Sequence, residues 1–193
     1  VSVARQAYDG VEALDGKIYL VGGFDGGAKN IAERYDPATN QWETLNAMSV
    51  ARAGLGAVIH NGKFYAIGGA GHTSVEIFDP QTGQWSAGPA LPSEVKYGTA
   101  ISVGGKILLV GGQNSGGSPI NQVLELDPST NQWSQKAAMP TARHAMKLVF
   151  FDGKVWAIGG HDGNYINKVE IYDPAANSWT TGPSLTTVRH WPS

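Results

Sequence analysis

The side chains that most often carry enzyme chemistry are few in this sequence of 193 residues, which contains five His and no Cys. Without Cys the chain cannot form disulfides, thiolate zinc sites, iron–sulfur clusters or Cys nucleophiles. The His residues show neither His-x-His nor His-Glu-x-x-His spacing, so no motif places two imidazoles on one metal ion. The sequence therefore predicts no metal site, no cofactor and no catalytic residue.

Individual His positions have simple explanations. His60 stands beside Asn61-Gly62, a hairpin-turn signal, so we expect this imidazole at the surface. His161-Asp162 occupies the same place in the sequence pattern as Phe24-Asp25, so the Asp is part of a recurring turn.

Charge and hydropathy argue against two classes of partner. The formal net charge is −2, whereas a nucleic-acid surface needs clustered Lys and Arg. No apolar run approaches the roughly 18 residues that a membrane-spanning helix requires. We therefore predict neither nucleic-acid nor membrane binding. A chain without Cys suits both reducing and oxidising compartments, so the localisation stays open.

Four sequence markers recur four times at fixed spacing, which shows an internal repeat. A Gly-Gly pair returns every 43 to 48 residues, a turn Gly precedes each pair by six positions, and an Asp-Pro pair follows. A Trp stands six positions after each Asp. The Gly-Gly pairs are Gly22-Gly23, Gly68-Gly69, Gly111-Gly112 and Gly159-Gly160, and the Trp residues are Trp42, Trp85, Trp133 and Trp179.

Each repeat predicts four short strands. In the second repeat these are 54–59, 64–67, 75–78 and the segment that carries Trp85. The second strand is almost entirely apolar, which predicts burial on both faces. Pro ends the third strand, and the preceding Asp can cap the turn with its side chain. Residues that tolerate a positive φ then precede the Trp strand: Asn40, Gly83, Asn131 and Asn177.

A single four-stranded sheet cannot bury both of its faces, so the repeats are expected to stack as the blades of a β-propeller. Gly-Gly permits close backbone approach, and the Trp fills space between blades. We predict an all-β fold in which residues 1–193 form one array. The predicted blades are 1–48, 49–92, 93–140 and 141–188, and 189–193 begin a further corner.

The pattern Gly-Lys-Ile-Tyr-Leu-Val-Gly-Gly … Glu-Arg-Tyr-Asp-Pro-Ala-Thr-Asn-Gln-Trp … Met-Ser-Val-Ala-Arg resembles the kelch repeat over essentially the whole chain. The third repeat departs from it in two ways. Its loop 113–120 is longer, and we interpret Lys96 as the replacement for the corner Arg of the other repeats. The resemblance implies a binding scaffold rather than a self-sufficient enzyme.

By resemblance, kelch ligands contact the corner residues and the loop after Gly-Gly at one mouth of the propeller. The candidate ligand-binding residues are Arg5, Phe24, Arg52, Lys96, Tyr97, Gln113, Arg143, His144, His161 and Tyr165. The resemblance implies a protein or peptide ligand, and because cations at this mouth would attract carboxylates, we expect acidic ligands in particular.

A structural role for the corner Arg residues also stays open. Each could instead join neighbouring blades, with Glu33, Glu76 and Glu170 as partners because these acids share one repeat column. Residues that occur in one repeat alone are the better ligand candidates, since ligand contacts usually differ between blades.

Five corner segments accompany four blades, whereas kelch propellers usually have six or seven blades. Three arrangements stay open: part of a larger ring, two chains that complete one ring of about eight blades, or four blades that close alone. An open array exposes an apolar face at each end. We therefore expect self-association or missing blades, and no stable monomer.

Two other functions remain as alternatives. Kelch folds include a copper oxidase of galactose, which needs a Cys-modified Tyr that this chain cannot make, and a sialic acid mutarotase. A mutarotase-like enzyme or sugar binder would need an acid–base pair near an Arg, for which Glu94, Asp25, Asp162 and His144 are candidates. The second alternative is a self-assembling structural module.

Overall fold

The structure, a computed structural model, describes residues 4, 6 and 10–188. The strands of the first two sheets are β1 (Val11–Leu14), β2 (Lys17–Val21), β3 (Ala32–Asp36), β4 (Gln41–Thr44), β5 (Gly56–His60), β6 (Lys63–Ile67), β7 (Val75–Asp79) and β8 (Gln84–Gly88). Those of the other two are β9 (Thr99–Val103), β10 (Lys106–Val110), β11 (Val123–Asp127), β12 (Gln132–Gln135), β13 (Lys147–Phe151), β14 (Lys154–Ile158), β15 (Val169–Asp173) and β16 (Ser178–Thr181). A search of the described residues found no helix with the length and apolar character needed to cross a membrane.

Four consecutive strands pair antiparallel in each sheet, and each sheet lies within one sequence repeat. This confirms the prediction of an all-β fold with four four-stranded blades. The first and second strands of a blade are joined by a two-residue turn; in the second blade, Asn61 and Gly62 have φ of 47° and 73°. Both values are left-handed, as a hairpin turn that follows the strand twist requires.

The turn after the third strand is built as predicted. Asp79 Oδ1 accepts a hydrogen bond from the Gln81 backbone N–H at 2.9 Å, so the side chain caps the turn. The expected residues before the Trp strand have positive φ: Asn40, Gly83, Asn131 and Asn177. The sequence interpretation missed the Lys at the start of each second strand, such as Lys63, which pairs with the Asp79 carboxylate at 2.9 Å.

The chain forms two compact units, Val1–Lys96 and Tyr97–Ser193. In the first unit, blades 1 and 2 enclose an apolar core whose members are Tyr19, Val21, Ala32, Met48, Leu55, Ala57, Phe64, Ala66 and Phe78. In the second unit, blades 3 and 4 enclose a core whose members are Leu108, Val110, Val123, Met139, Met146, Leu148, Val155, Ala157 and Tyr172. Burial between adjacent sheets therefore stabilises each unit.

The Trp residues of the second and fourth blades pack against these cores, as predicted for residues that fill space between blades. Trp85 Nε1 also donates a hydrogen bond to the Asn46 carbonyl, at 2.7 Å. Trp179 Nε1 donates in the same way to the Ala137 carbonyl, at 2.8 Å. Each Trp thereby fixes the outgoing chain of the preceding blade.

Burial of the second strand on both faces is confirmed for β6 and β10, in which every residue after the initial Lys is buried. In β14 the pattern alternates, and Trp156 and Ile158 are only partly buried. Alternation is expected where a neighbouring blade covers one face of a sheet and the other face is open.

The surface position predicted for His60 is wrong. The side chain is 3% exposed, and its ring packs edge-on against Tyr65 with centroids 6.0 Å apart. His60 is the last residue of β5 and not part of the turn, so strand pairing turns it inward. Burial lowers the pKa of this imidazole.

Candidate functional site

The corner segments before blades 2, 3 and 4 each lie against a Gly-Gly loop. Gly23 N–H donates to the Arg52 carbonyl at 2.9 Å, and a Cβ added to Gly22 would stand 2.8 Å from that same oxygen. Gly22 also has a φ of 67°, which disfavours any residue with a side chain. The predicted close approach at Gly-Gly is therefore present, and it brings the corner beside the loop that follows the second strand.

The corner residue Arg52 is fully buried, at 0% exposure. Its Nη1 donates to the carbonyls of Gly68 and Ser74 at 2.7 and 2.8 Å, and its Nη2 donates to Ser74 Oγ at 2.7 Å. Nη2 also pairs with Glu76 Oε1 at 3.0 Å. The guanidinium therefore links the corner to the chain between the second and third strands of its own blade.

Glu76 holds the other side of this pair. Its carboxylate accepts hydrogen bonds from the Ser49 N–H at 2.7 Å and the Ser49 hydroxyl at 2.8 Å. Burial acts to raise the pKa of Glu76, but the hydrogen bonds from Ser49 and Arg52 outweigh it, and the pKa lies below its ordinary value. Glu76 is therefore ionised at neutral pH.

Arg143 repeats this arrangement with fewer contacts. It is also 0% exposed, and its Nη1 lies 3.1 Å from Glu170 Oε2. Nη2 donates to the Ala157 carbonyl at 3.0 Å, while Nε and Nη1 form no hydrogen bond of good geometry with the described residues. Burial lowers the pKa of both guanidinium groups, Arg52 and Arg143.

These contacts favour the structural role that the sequence left open for the corner Arg, with one correction. The side-chain partners of Arg52 lie in its own repeat, so the guanidinium does not join neighbouring blades. The backbone makes that connection instead, because Arg52 N–H donates to the Lys29 carbonyl of the first blade at 2.8 Å.

The interpretation of Lys96 as the replacement for the corner Arg is also wrong. Val95 takes that place, because its carbonyl accepts from Gly69 N–H at 3.0 Å as the Arg52 carbonyl accepts from Gly23. Lys96 stands one residue later and is partly exposed. In the same repeat, Leu124 occupies the Glu column of Glu76, so both charged partners are replaced by buried apolar residues.

Five of the predicted ligand-binding residues come together in the second unit, and we name them the His144 cluster: Tyr97, Gln113, His144, His161 and Tyr165. The His144 and His161 rings lie 5.1 Å apart between centroids. Tyr97 flanks His144 at 6.0 Å, and Tyr165 flanks His161 at 5.2 Å. The amide nitrogen of Gln113 lies 3.2 Å from His144 Nε2.

Backbone bonds hold the His144 cluster in place. His144 N–H donates to the His161 carbonyl at 3.1 Å, and His161 N–H donates back to the His144 carbonyl at 2.9 Å. Tyr97 has a φ of 56°, a strained conformation for an aromatic residue. The Tyr97 carbonyl accepts from Ala145 N–H at 3.4 Å. These backbone hydrogen bonds hold the loops of blades 3 and 4 that carry the cluster. Tyr165 is the most exposed of the five residues, at 55%.

Of the other candidates, Phe24 and Arg52 belong to the first unit and Arg143 to the second. Phe24 occupies the place of His161 and is exposed; its backbone bonds reciprocally to Gln6 at 2.8 and 3.0 Å. Lys96 also belongs to the first unit. Arg5 lies outside the described residues.

The acid–base candidates do not form one group within either unit. Glu94 Oε1 accepts from Gly71 N–H at 2.8 Å and so serves a loop of the first unit. Asp25 also belongs to that unit, whereas Asp162 and His144 belong to the second. Within the described residues, no three His, Asp or Glu side chains are grouped to hold a metal ion.

A family model described as the KLHDC2/KLHL20/DRC7 Kelch-repeats domain matches residues 8–190. Kelch-like protein 35 of Mus musculus is 36% identical over 106 residues, which cover 52% of this chain and 18% of that protein. Kelch-like protein 23 of Pongo abelii is 35% identical over 96 residues, 47% of this chain and 16% of that protein. The chain thus spans less than a fifth of these relatives.

A solved structure titled "Structure of YjhT" covers 94% of this chain, with a TM-score of 0.82 and 20% identity. The matched part is 71% of that structure's chain. At this identity the likeness concerns the fold, and it agrees with the four antiparallel blades described above.

Proposed function

The chain belongs to the kelch-repeat family, and on that premise we propose that it binds a protein or peptide through the His144 cluster. The observation that carries this proposal is the convergence of two His, two Tyr and a Gln on one loop surface of the second unit. None of these five residues is fully buried, so a ligand can reach the surface that they form.

The chemistry of the His144 cluster suits peptide recognition. Tyr supplies a large contact area with few rotatable bonds, and residues of this type dominate binding energies at protein interfaces. Imidazole, amide and phenol groups both donate and accept hydrogen bonds. A peptide backbone, which offers alternating donors and acceptors, matches this mixture.

The structure changes the reason for expecting an acidic ligand. Arg52 and Arg143 are buried and paired with Glu76 and Glu170, so their charges are already matched. An acidic side chain would instead meet the imidazoles of His144 and His161. We retain acidic peptides as one class within the proposal, to be compared directly with neutral ones.

The test is peptide selection followed by substitution. A displayed library of random 12-residue peptides would be selected on the purified chain, and the affinity of a selected peptide measured by calorimetry. We expect Tyr165→Ala to weaken binding about 10-fold or more, since loss of a hot-spot aromatic costs about 2 kcal/mol. Phe24→Ala is the matched control, because Phe24 holds the place of His161 in the first blade, and we expect it to leave the affinity unchanged.

Two results would contradict the proposal. One is that Phe24→Ala weakens the selected peptide as much as Tyr165→Ala does. The other is that no peptide is enriched on the folded chain while the same selection on Tyr165→Ala gives an identical profile. Comparison of acidic and neutral versions of a selected peptide then decides the charge preference.

A carbohydrate-active function is the second candidate, and one observation favours it. Asp162 follows His161 in the loop after the last Gly-Gly, and Tyr165 comes three residues later, so a carboxylate, an imidazole and a phenol belong to one short loop. An acid–base pair of this kind could open and close a sugar ring. Proton NMR of sialic acid anomers with and without the chain tests this candidate. An unchanged rate of mutarotation would contradict a mutarotase activity.

We also propose that the array is completed by further blades, since the outer faces of the first and last blades are apolar and exposed.

A further inference from the structure

We infer that the ligand of the His144 cluster is a proline-rich segment in the polyproline II conformation, and that Tyr97 is a specificity-determining residue for it. This inference rests on the function proposed above and names the class of peptide that the site takes. It concerns the four rings of the cluster, which we name the aromatic row: Tyr97, His144, His161 and Tyr165. All four residues belong to the second unit.

The aromatic row is a continuous series of rings. The centroids of successive rings lie 6.0, 5.1 and 5.2 Å apart, and the planes of these pairs are inclined by 44°, 56° and 71°. The rings therefore form a ridged surface and not a flat stack. Two residues of a polyproline II helix advance by about 6 Å, which is close to the spacing of the rings. Aromatic-lined surfaces are the usual docking sites for such segments, whose conformation is formed before binding.

A hydrogen bond within the loop determines which nitrogen of His161 carries a proton. Gly163 N–H donates to His161 Nδ1 at 3.2 Å, so in the neutral imidazole the proton is on Nε2 and that atom is a donor. Tyr hydroxyls and the Gln113 amide are also able to donate. Proline has no backbone N–H, and a polyproline II backbone makes no internal hydrogen bonds. The donors of the cluster therefore match a ligand backbone that only accepts.

The charges near the aromatic row favour a neutral ligand. Arg143 precedes His144 in the chain, but it is 0% exposed and lies 3.1 Å from the Glu170 carboxylate. The loop that carries His161 contains a carboxylate of its own, Asp162. An acidic peptide would meet repulsion from that carboxylate, whereas a proline-rich segment without acidic residues would not.

Tyr97 has a backbone conformation that its side chain disfavours. Its φ is 56°, which is unusual for a bulky residue. Because Val95 occupies the place of Arg52, Tyr97 corresponds to Gly54 of the second blade, which has a φ of 63°. The corresponding residue of the fourth blade, Ala145, has a φ of 52°. The fold therefore requires a left-handed residue at this corner position, and Gly is the residue that adopts it without steric cost.

A ring at this strained position indicates a function for the ring itself. Strained residues persist where something else requires them, and they are concentrated at binding sites. Gly at position 97 would satisfy the backbone but would remove the first ring of the aromatic row, which lies 6.0 Å from His144. The strain at Tyr97 therefore accompanies a contact that only a side chain can make with the ligand.

The experiment is a fluorescence anisotropy titration of the purified chain against a fluorescein-labelled peptide of ten L-prolines. A peptide of ten D-prolines is the first control, because it has the same composition and the opposite helical hand. A peptide of alternating Gly and Ser is the second, because it is flexible. We expect the L-proline peptide to bind at least about 10-fold more tightly than either control, since only its left-handed helix matches the row.

Three substitutions at one position separate the ring from the strain. Tyr97→Ala and Tyr97→Gly both remove the ring and should weaken binding of the L-proline peptide about 10-fold. Tyr97→Phe keeps the ring and should stay within about 5-fold, the value of one hydrogen bond. In thermal unfolding followed by circular dichroism, Tyr97→Gly should melt about 2–4 °C above Tyr97→Ala, because Gly alone relieves the strain. Phe24→Ala is the remote control and should bind like the wild type.

The outcomes distinguish this inference from the function on which it rests. Equal affinity for the L-proline peptide and either control peptide overturns the inference, even when a peptide selected from the random library binds through Tyr165. Unchanged affinity in Tyr97→Gly, or melting of Tyr97→Gly at or below Tyr97→Ala, overturns the assignment of Tyr97. If neither the library nor the L-proline peptide yields a ligand, the inference and the proposed function both fail.

Discussion

Blades 2 and 4 contain the same buried ion pair in different surroundings, and the difference shows what such a pair requires. Arg52 bonds to Glu76, to two carbonyls and to the Ser74 hydroxyl. Arg143 has Glu170 and the Ala157 carbonyl. Burying a charge costs several kcal/mol unless its polar groups are satisfied. The second blade therefore satisfies its Arg more completely than the fourth.

The third repeat gives a second contrast. It carries Val95 in the Arg column and Leu124 in the Glu column, and both side chains are buried. Loss of one partner alone would leave an uncompensated charge, whereas replacement of both by apolar residues can be neutral. Repeats 2 and 4 therefore contain both members of the pair, and repeat 3 contains neither.

The largest expected effect is that of breaking the better-satisfied pair. Arg52→Ala should lower the free energy of unfolding by about 3–5 kcal/mol, because it leaves the Glu76 carboxylate buried without its cation. Arg143→Ala should cost less, since fewer hydrogen bonds are lost. Urea unfolding followed by Trp fluorescence measures both. Equal losses would show that the extra contacts of Arg52 add no stability.

A double substitution that copies the third repeat should recover most of that loss. In Arg52→Val with Glu76→Leu, no buried charge remains, so we expect unfolding within about 1 kcal/mol of the wild type. The double-mutant cycle gives the coupling energy of the pair. If the double variant is as unstable as the sum of the single ones, the interpretation of Val95 and Leu124 as an apolar substitute for the pair is wrong.

Acid should distinguish the same variants. The pKa of Glu76 is lower in the folded chain than its ordinary value, so its contribution is fully present above about pH 4.3, the ordinary value for Glu. That contribution is lost as the pH falls through the folded-state pKa. Between pH 5 and pH 3, wild-type stability should therefore fall more steeply than that of the Arg52→Val, Glu76→Leu variant. Parallel curves in thermal unfolding would contradict this.

The smallest expected effect comes from improving the poorer pair. Lys168 takes the place of Ser74 in the fourth blade, so Lys168→Ser would offer Arg143 the hydroxyl that Arg52 already has. A gain of up to about 1 kcal/mol is expected, the value of one hydrogen bond. Lys168→Ala is the control, and an equal gain from both would assign the effect to the removal of Lys.

Much of the fold could be predicted from the sequence because its signals are local. Positive φ at Asn40 and Asn177, the Asp79 turn cap and the Asn61-Gly62 hairpin each depend on a few neighbouring residues. The position of His60 could not be predicted in this way. Its burial depends on which side of a strand faces the core, and a shift of one residue reverses that side.

The corner residues show the same limit at the candidate site. Aligned by sequence alone, Lys96 falls at the position of the corner Arg. The hydrogen bond from Gly69 N–H to the Val95 carbonyl shows that Val95, one residue earlier, occupies that position. The sequence did identify all five residues of the His144 cluster as candidate ligand-binding residues. Their convergence depends on loops from two blades, because the partners of His144 range from Tyr97 to Tyr165 along the chain.

The sequence by itself determined the repeat, the strand order within each blade and the turn conformations, since each follows from short-range geometry and from the apolar pattern of the strands. Only the tertiary structure decided that Arg52 and Arg143 are buried in ion pairs and that the side chains of the His144 cluster form one surface. Burial and pairing are properties of chains brought together in space, and the free energy of a charged group depends on what surrounds it there.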